Sequence, residues 1–229
     1  MNWELIQENL PRYFHGAMLT LELLAISLLI GLVLAIPLAV LRARGGWASR
    51  VVWLYTYVFR GTPMLVQLFL IYYGLAQFEF VRESAAWPLF SSAWFCACLS
   101  FVLNTTAYTT EIFAGAIRAL PKGEIEAARA MGMSPLVMLR RIVLPAALRR
   151  ALPAYSNEAI FMLHGTSLAS MVTLMDLTGV ARIFNADNYL PFEAFITAAV
   201  FYLALTMCLV ALFNRAEARW LTPTLPASS

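Results

Sequence analysis

Four ionisable side chains lie inside stretches otherwise made of apolar residues: Glu22, Arg60, Glu111 and Glu158, with His164 as a further titratable group. Such groups are expensive in hydrocarbon and persist where they pair, line a watery cavity or meet a ligand. Glu158, Met162, Gly165 and Ala169 share one helical face, and Gly165-x3-Ala169 lets a neighbouring helix or a ligand approach closely. A carboxylate there suits a cationic ligand, whose ammonium or guanidinium it can pair; it equally suits an ion pair with Arg60 or with an arginine from a span end. Gly61, Thr62 and Pro63 offer the opposite chemistry. Thr62 is a candidate N-cap and Pro63 a first-turn residue, so a helix beginning within the membrane would present free N–H groups to a carboxylate. The alternative is a kinked helix entrance. Asn104, Tyr108, Glu111 and Gly115 follow one another by 4, 3 and 4 residues on one face, either lining a path or hydrogen-bonding across packed helices. His164 reads as a packing or interface histidine, and no role is assigned to Glu22.

These residues must be held by membrane helices. Apolar residues make up 61% of the 229 and charged ones 13%, against about 45–50% and 25% in soluble domains. That excludes a cytosolic enzyme, a nucleic-acid binder and a disordered chain. About 20 apolar residues cross the hydrocarbon core, and five stretches qualify: 17–41, 63–80, 93–120, 153–175 and 195–213, with 51–59 leading into the second. Pro37 should kink or loosen the first. The fold class is therefore all-α integral membrane with five transmembrane helices. Residues 1–16 form a retained amphipathic segment, 17–220 a single membrane domain and 221–229 a tail. Cys96, Cys98 and Cys208 lie in apolar runs, where they act as small hydrophobes and indicate neither a zinc site nor a disulfide framework.

Basic residues set the orientation. Arg42, Arg44 and Arg50, seven residues between 118 and 150, and Arg215 with Arg219 account for twelve of the 16 basic residues if those segments lie inside. This puts the N-terminus outside and the C-terminus in the cytoplasm, and explains the net charge of +3 without nucleic acid. The segment 176–192 is then outside, as an exposed linker or a contact for a binding protein.

The cytoplasmic loop 121–148 reads as a helix–turn–helix. Glu124 and Glu126 occupy a first turn, Ala127, Ala128 and Ala130 favour helix with a small surface, and Gly132 can take the left-handed conformation that stops it. Ser134-Pro135 starts a second short helix and Pro145 interrupts it. The loop is either a solvated connector or a segment that lies in another protein's groove. Its pattern, Glu126-Ala127-Ala128-x3-Gly132-x9-Ile142-x-Leu144-Pro145, resembles the EAA loop of binding-protein-dependent ABC importer permeases, which docks on the ATPase subunit. Residues 59–67 (Phe-Arg-Gly-Thr-Pro-Met-Leu-Val-Gln), Tyr72-Tyr73-Gly74 and 104–118 look like the polar amino-acid branch of those permeases. Residues 151–158, Asp176-Leu177-Thr178 and 214–220 are most similar to the M-type permease subunit of histidine/lysine/arginine/ornithine importers, with arginine/ornithine and opine importers as near relatives.

The resemblance implies a type I ABC importer permease working by alternating access. It implies a second homologous permease, two ATP-binding subunits, an extracytoplasmic solute-binding protein and an amino-acid substrate, with membrane lipid around them. It also implies coupling through Glu124, Glu126, Ala127, Ala128 and Gly132, and substrate contact at positions 158 and 165; with the residue reading above, the substrate-binding candidates are Gly61, Thr62, Glu158 and Gly165. In the basic amino-acid branch acids at 158 and at 165 both look relevant to substrate, so Gly165 implies that a second acid comes from the partner. The chain has no Gly-x4-Gly-Lys-Ser/Thr loop, so ATP and magnesium belong to the partners and no cofactor or metal to this chain. His-Glu-x-x-His and Gly-x-Ser-x-Gly are also missing, which sets a hydrolase aside. A permease for glutamine or glutamate is the alternative, and a proton-coupled secondary transporter a more distant one.

Overall fold

Proline and glycine decide where this chain breaks, and two of its prolines do not break it. The computed structural model describes residues 3–221, which form helices and their connections with no strand among them. Helix α1 (Trp3–Arg44) passes through Pro11 and Pro37 without a break. Its 42 residues span about 63 Å, so the separate amphipathic segment expected at 1–16 is the first part of the same helix as the first span. The reason is packing: Tyr13 and Ala17 are buried against α7 and α8 rather than lying on a membrane surface. Gly45 and Gly46, both at positive φ (77° and 82°), turn the chain into α2 (Gly46–Gly61).

Pro63 ends α2. Its ring excludes the helical conformation at the preceding residue, and Thr62 is extended at φ −113°, ψ 143°. Helix α3 (Met64–Gln77) departs at 102° to α2. The second span, expected as one run over 63–80, is thus half of a bent pair whose other half is α2. Two single turns follow, Glu79–Arg82 and Trp87–Phe90.

Helix α4 (Ala93–Arg118) forms the centre. It packs against α1 where Ser27, Gly31, Ala35 and Ala39 repeat every fourth residue, all buried. At Gly31 a Cβ would come within 2.5 Å of Thr105 Cγ2, so the two backbones meet as only small residues allow. After α5 (Lys122–Ala130), Gly132 takes φ 74° and stops the helix. Ser134 then caps α6 (Pro135–Val172) by accepting from the Val137 N–H at 3.4 Å, with Pro135 in its first turn.

Helix α6 is where expectation and structure differ most. Pro145 does not interrupt it. Residues Leu139–Val143 widen into a π-helical turn, which accommodates a proline ring that would otherwise strike the carbonyl four residues back. The loop's second short helix and the fourth span are therefore a single element. Helix α7 (Leu177–Asn188) follows at 47° and replaces the expected exposed linker. Asp176 caps it, accepting from Gly179 N at 3.1 Å and Thr178 N at 3.2 Å. Leu177, Ala181 and Phe184 bury its inner face on Tyr13, Ala17 and Ala194. Helix α8 (Pro191–Leu221) closes the fold; the tail beyond 221 lies outside the described residues. Cys96 and Cys98 are buried as expected, whereas Cys208 is exposed on α8.

Among the described residues, α1 and α8 are each long and apolar enough to cross a membrane, and the bent pairs α2–α3 and α6–α7 qualify when each is taken as one span. Helix α4, with 26 residues, has the length but carries Asn104 and four threonines between 105 and 110. Its surface is largely covered by protein.

Candidate functional site

A cavity of about 530 Å³ opens between the α2–α3 bend, α4 and α6. The bend makes its first wall. A helix that ends within a membrane leaves carbonyls without partners, and here each of three is met. Val58 O accepts from Thr62 Oγ1 at 2.8 Å, Phe59 O from Gln67 Nε2 at 2.7 Å, and Arg60 O from Tyr108 OH at 3.3 Å. Gln67 Nε2 also reaches Thr62 Oγ1 at 2.8 Å, and its Oε1 accepts from Asn104 Nδ2 at 3.0 Å. Thr62 is thus not the N-cap of the next helix. Its hydroxyl turns back to α2, and Pro63 occupies the N-cap of α3 without a side-chain bond.

Gly61, Thr62, Pro63 and Met64 line the cavity from this wall, Asn104 and Tyr108 from α4, and Glu158, Phe161 and Met162 from α6. Arg60 lines it too, its guanidinium carbon 5.2 Å from the centre of the Tyr108 ring, at the range of a cation–π contact. Glu158 is 7% exposed, beside the Thr105 hydroxyl and within the field of Arg60. Among the described residues no ion pair joins Glu158 to Arg60 or to any other arginine. The cavity therefore holds a guanidinium from the α2–α3 wall and a carboxylate from the α6 wall, with no ion pair between them among the described residues.

The stripe on α4 divides between two surroundings. Tyr108 and Asn104 face the cavity, while Glu111 is interhelical glue, bound by Arg42 and Thr56. Gly165 lies beneath the cavity rather than in its lining. A Cβ there would collide with the Met64 methyl, so Met64 fills the space that glycine leaves. His164 points away, 3.3 Å from Thr206 Oγ1. Arg60, Met64 and Phe161 were not read as site residues from sequence. Arg60 carried a signal, since it alone among the basic residues fell at a span entrance and to neither side.

The residues of the loop are not part of this cavity. On α5, Glu124 falls in the first turn and Glu126 just beyond it; both are exposed, as is Ala127, whereas Ala128 is buried. Met131 and Leu136 are 70% and 64% exposed on the same segment.

A helical bundle with a bent, capped break beside a charged cavity is the architecture of a membrane transport component. The chain belongs to the family described as binding-protein-dependent transport system inner membrane component, which matches residues 27–222. It is 51% identical over 218 residues to the histidine/lysine/arginine/ornithine transport system permease protein HisM of Escherichia coli (strain K12), covering 94% of this chain and 92% of that protein. It is 45% identical over 229 residues to the nopaline transport system permease protein NocM of Agrobacterium fabrum (strain C58 / ATCC 33970), covering 99% and 95%. The crystal structure of an amino acid ABC transporter with histidines contains a chain that superposes with a TM-score of 0.83 at 31% identity, covering 96% of this chain and 99% of that one. An inward-facing form of the MetNI methionine ABC transporter matches at 0.72 and 22% identity, over 90% and 94%, a likeness of fold.

Proposed function

We propose that this chain is one of two homologous permease subunits through which an ATP-driven importer passes basic amino acids: histidine, lysine, arginine, ornithine or close analogues such as opines. The observation that carries this reading is the cavity lined by both Arg60 and Glu158. A basic amino acid brings a carboxylate for the guanidinium and a cationic group for the buried glutamate. Glutamine or glutamate would leave Glu158 without a cationic side chain to meet. HisM and NocM, named for basic amino acids and an opine, support the same substrate class. The chain crosses the membrane five times, with its N-terminus outside and its C-terminus in the cytoplasm. A solute-binding protein delivers substrate from outside, and two ATP-binding subunits hold ATP and magnesium.

The continuity of α6 supplies a mechanism. The helix begins at Pro135 beside the loop that docks on an ATPase subunit through Glu124, Glu126, Ala127, Ala128 and Gly132. It reaches Glu158 about 35 Å further on. The wall that carries Arg60 is fastened to α4 instead, by Tyr55 OH to Leu103 O at 2.6 Å and by the Gln67–Asn104 and Tyr108–Arg60 bonds. Helix α6 meets α4 through Ala147 and Ala151 against Phe113 and Ala114, an apolar surface edged by one polar tie, Arg150 Nη1 to Ala119 O at 3.0 Å. ATP-driven displacement of the loop then rocks α6 along that surface, moving Glu158 relative to Arg60 and opening the cavity to alternate sides.

The test is Glu158→Gln in the assembled transporter. A hydrogen bond to a charged partner contributes about 1.5–3 kcal/mol, so the half-saturation concentration for arginine uptake rises about ten- to a hundredfold while the ATPase subunits still co-purify. Unchanged arginine uptake overturns the assignment.

A further inference from the structure

Where α1 passes from its polar first turns into its apolar run, a cavity of about 430 Å³ opens between that helix and α7. The two helices run side by side here. A Cβ at Gly16 would stand 3.0 Å from Val180 Cγ2, and further out the Tyr13 and Phe184 rings are 6.3 Å apart. Arg12 and His15 of α1 and Asp187 of α7 line the cavity. Arg12 is held in place: its Nη1 donates to Asn9 Oδ1 at 3.2 Å, and Asn9, 9% exposed, donates from Nδ2 to Leu5 O at 2.9 Å. Arg12 and Asp187 are both exposed, and among the described residues no ion pair joins them. The other wall is apolar, made by Val180, Ile183 and Phe184.

Depth decides what such a cavity meets. Helix α1 is apolar and long enough to cross a membrane, and its apolar run begins at Ala17. At 1.5 Å per residue Arg12 lies about 7 Å outside the hydrocarbon, within or at the edge of a headgroup layer about 5–7 Å deep. Val180, level with Gly16, lies at the hydrocarbon boundary. Both levels hold whichever side of the membrane this end of α1 faces.

We propose that the cavity binds a phospholipid whose headgroup carries both a phosphate and an ammonium, the chemistry of phosphatidylethanolamine. The phosphate takes charge-assisted bonds from the Arg12 guanidinium, with the His15 ring beside it, and the ammonium meets the Asp187 carboxylate. An acyl chain then runs past Ile183 and Val180 into the hydrocarbon. Phosphatidylglycerol satisfies Arg12 but leaves Asp187 facing a hydroxyl. A free amino acid brings both charges and nothing for the apolar wall, and a soluble protein reaches the charges from the water but not the wall at hydrocarbon depth. The site shares no residue with the Arg60–Glu158 cavity, so it stands whichever substrate crosses there.

Native mass spectrometry of the transporter, purified with its partner subunits and titrated with phosphatidylethanolamine or phosphatidylglycerol, tests it. The unmodified complex retains phosphatidylethanolamine several-fold better. Asp187→Asn brings the two lipids level, and Arg12→Gln lowers retention of both several-fold. Equal retention by the unmodified complex overturns the proposal, as does a preference that survives both substitutions. Excess arginine leaves the lipid bound; displacement identifies an amino-acid site and overturns it too. A second arm leaves both charges intact: p-benzoylphenylalanine at Ile183, photolysed in native membranes, forms an adduct of lipid mass. An adduct with a protein subunit alone, the solute-binding protein included, overturns the lipid assignment.

Discussion

Arg42, near the end of α1, and Glu111, on α4, meet with 2.7 Å between Nε and Oε1, and Thr56 of α2 donates to the same carboxylate oxygen at 2.8 Å. Arg118 stands 3.8 Å from the other oxygen, and Ser49 is held by the Arg42 carbonyl at 2.8 Å. Both members of the pair are largely covered, with side chains 21% and 15% exposed. Three helices are thus joined through one carboxylate, one turn beyond the Tyr108 that lines the cavity. Removing one member of a covered pair costs up to about 3 kcal/mol because the other charge is stranded, whereas removing both costs far less. Glu111→Gln should therefore lower the unfolding temperature of the detergent-solubilised complex, and Arg42→Gln combined with Glu111→Gln should recover much of it. Additive losses in that cycle would show that the two groups do not act on each other.

Gly165 and Met64 make a second pair with a measurable consequence. The Met64 methyl occupies the place of the missing Cβ, so Gly165→Ala pushes the thioether toward the cavity that Met64 already lines. Overpacking of this kind costs about 1 kcal/mol or more, or roughly fivefold in an equilibrium constant. We expect the half-saturation concentration for arginine to rise by about that factor, and Met64→Ala to restore it in the Gly165→Ala background. Uptake kinetics in membrane vesicles decide the matter; persistence of the defect in the double variant would break the link.

How much of this could be read from the chain follows from which interactions were local. The membrane class, the position of α5, the stop at Gly132 and the cap at Ser134 rest on composition or on residues within one turn, and they agree with the structure. Pro145 misled because the π-helical turn that absorbs it depends on a continuous helix beyond, which no local rule announces. Pro63 was recognised as a breaker, but Thr62 was assigned to the wrong helix. Its hydroxyl choice depends on Gln67 and Asn104, the latter about 40 residues away along the chain. Arg60 and Glu158 come from distant segments, so their lining one cavity is a property of packing and not of spacing.

Gly132 sits at φ 74° with nothing within 4 Å of an added Cβ. Only the backbone conformation resists a side chain there, at a cost of about 1 kcal/mol. Gly132→Val should therefore leave the protein in the membrane at normal level while reorienting α5 relative to α6. The expected readout is a loss of substrate-stimulated ATP hydrolysis in the reconstituted transporter, with Gly132→Asn milder because asparagine tolerates this conformation better. Equal coupling in both variants would detach the turn from energy transfer.

Gly31 and Gly115 offer the sharpest contrast, because both are glycines in membrane helices and only one is at a crossing. At Gly31 a Cβ lies 2.5 Å from Thr105 Cγ2, a short β-branched side chain with no room to withdraw, and 3.5 Å from the Thr106 backbone nitrogen. At Gly115 nothing stands within 4 Å. Gly31→Val must separate α1 from α4, which also carries the Glu111 junction away from Arg42. Overpacking alone costs about 1–3 kcal/mol, a large share of the stability of an ordinary domain. The quantity to measure is the folded permease recovered from membranes after mild solubilisation. Gly31→Val should lose most of it, and Gly115→Val should keep the unmodified level. Matching recoveries would mean that the α1–α4 contact does not hold the bundle together, and that the small-residue repeat from Ser27 to Ala39 has another purpose.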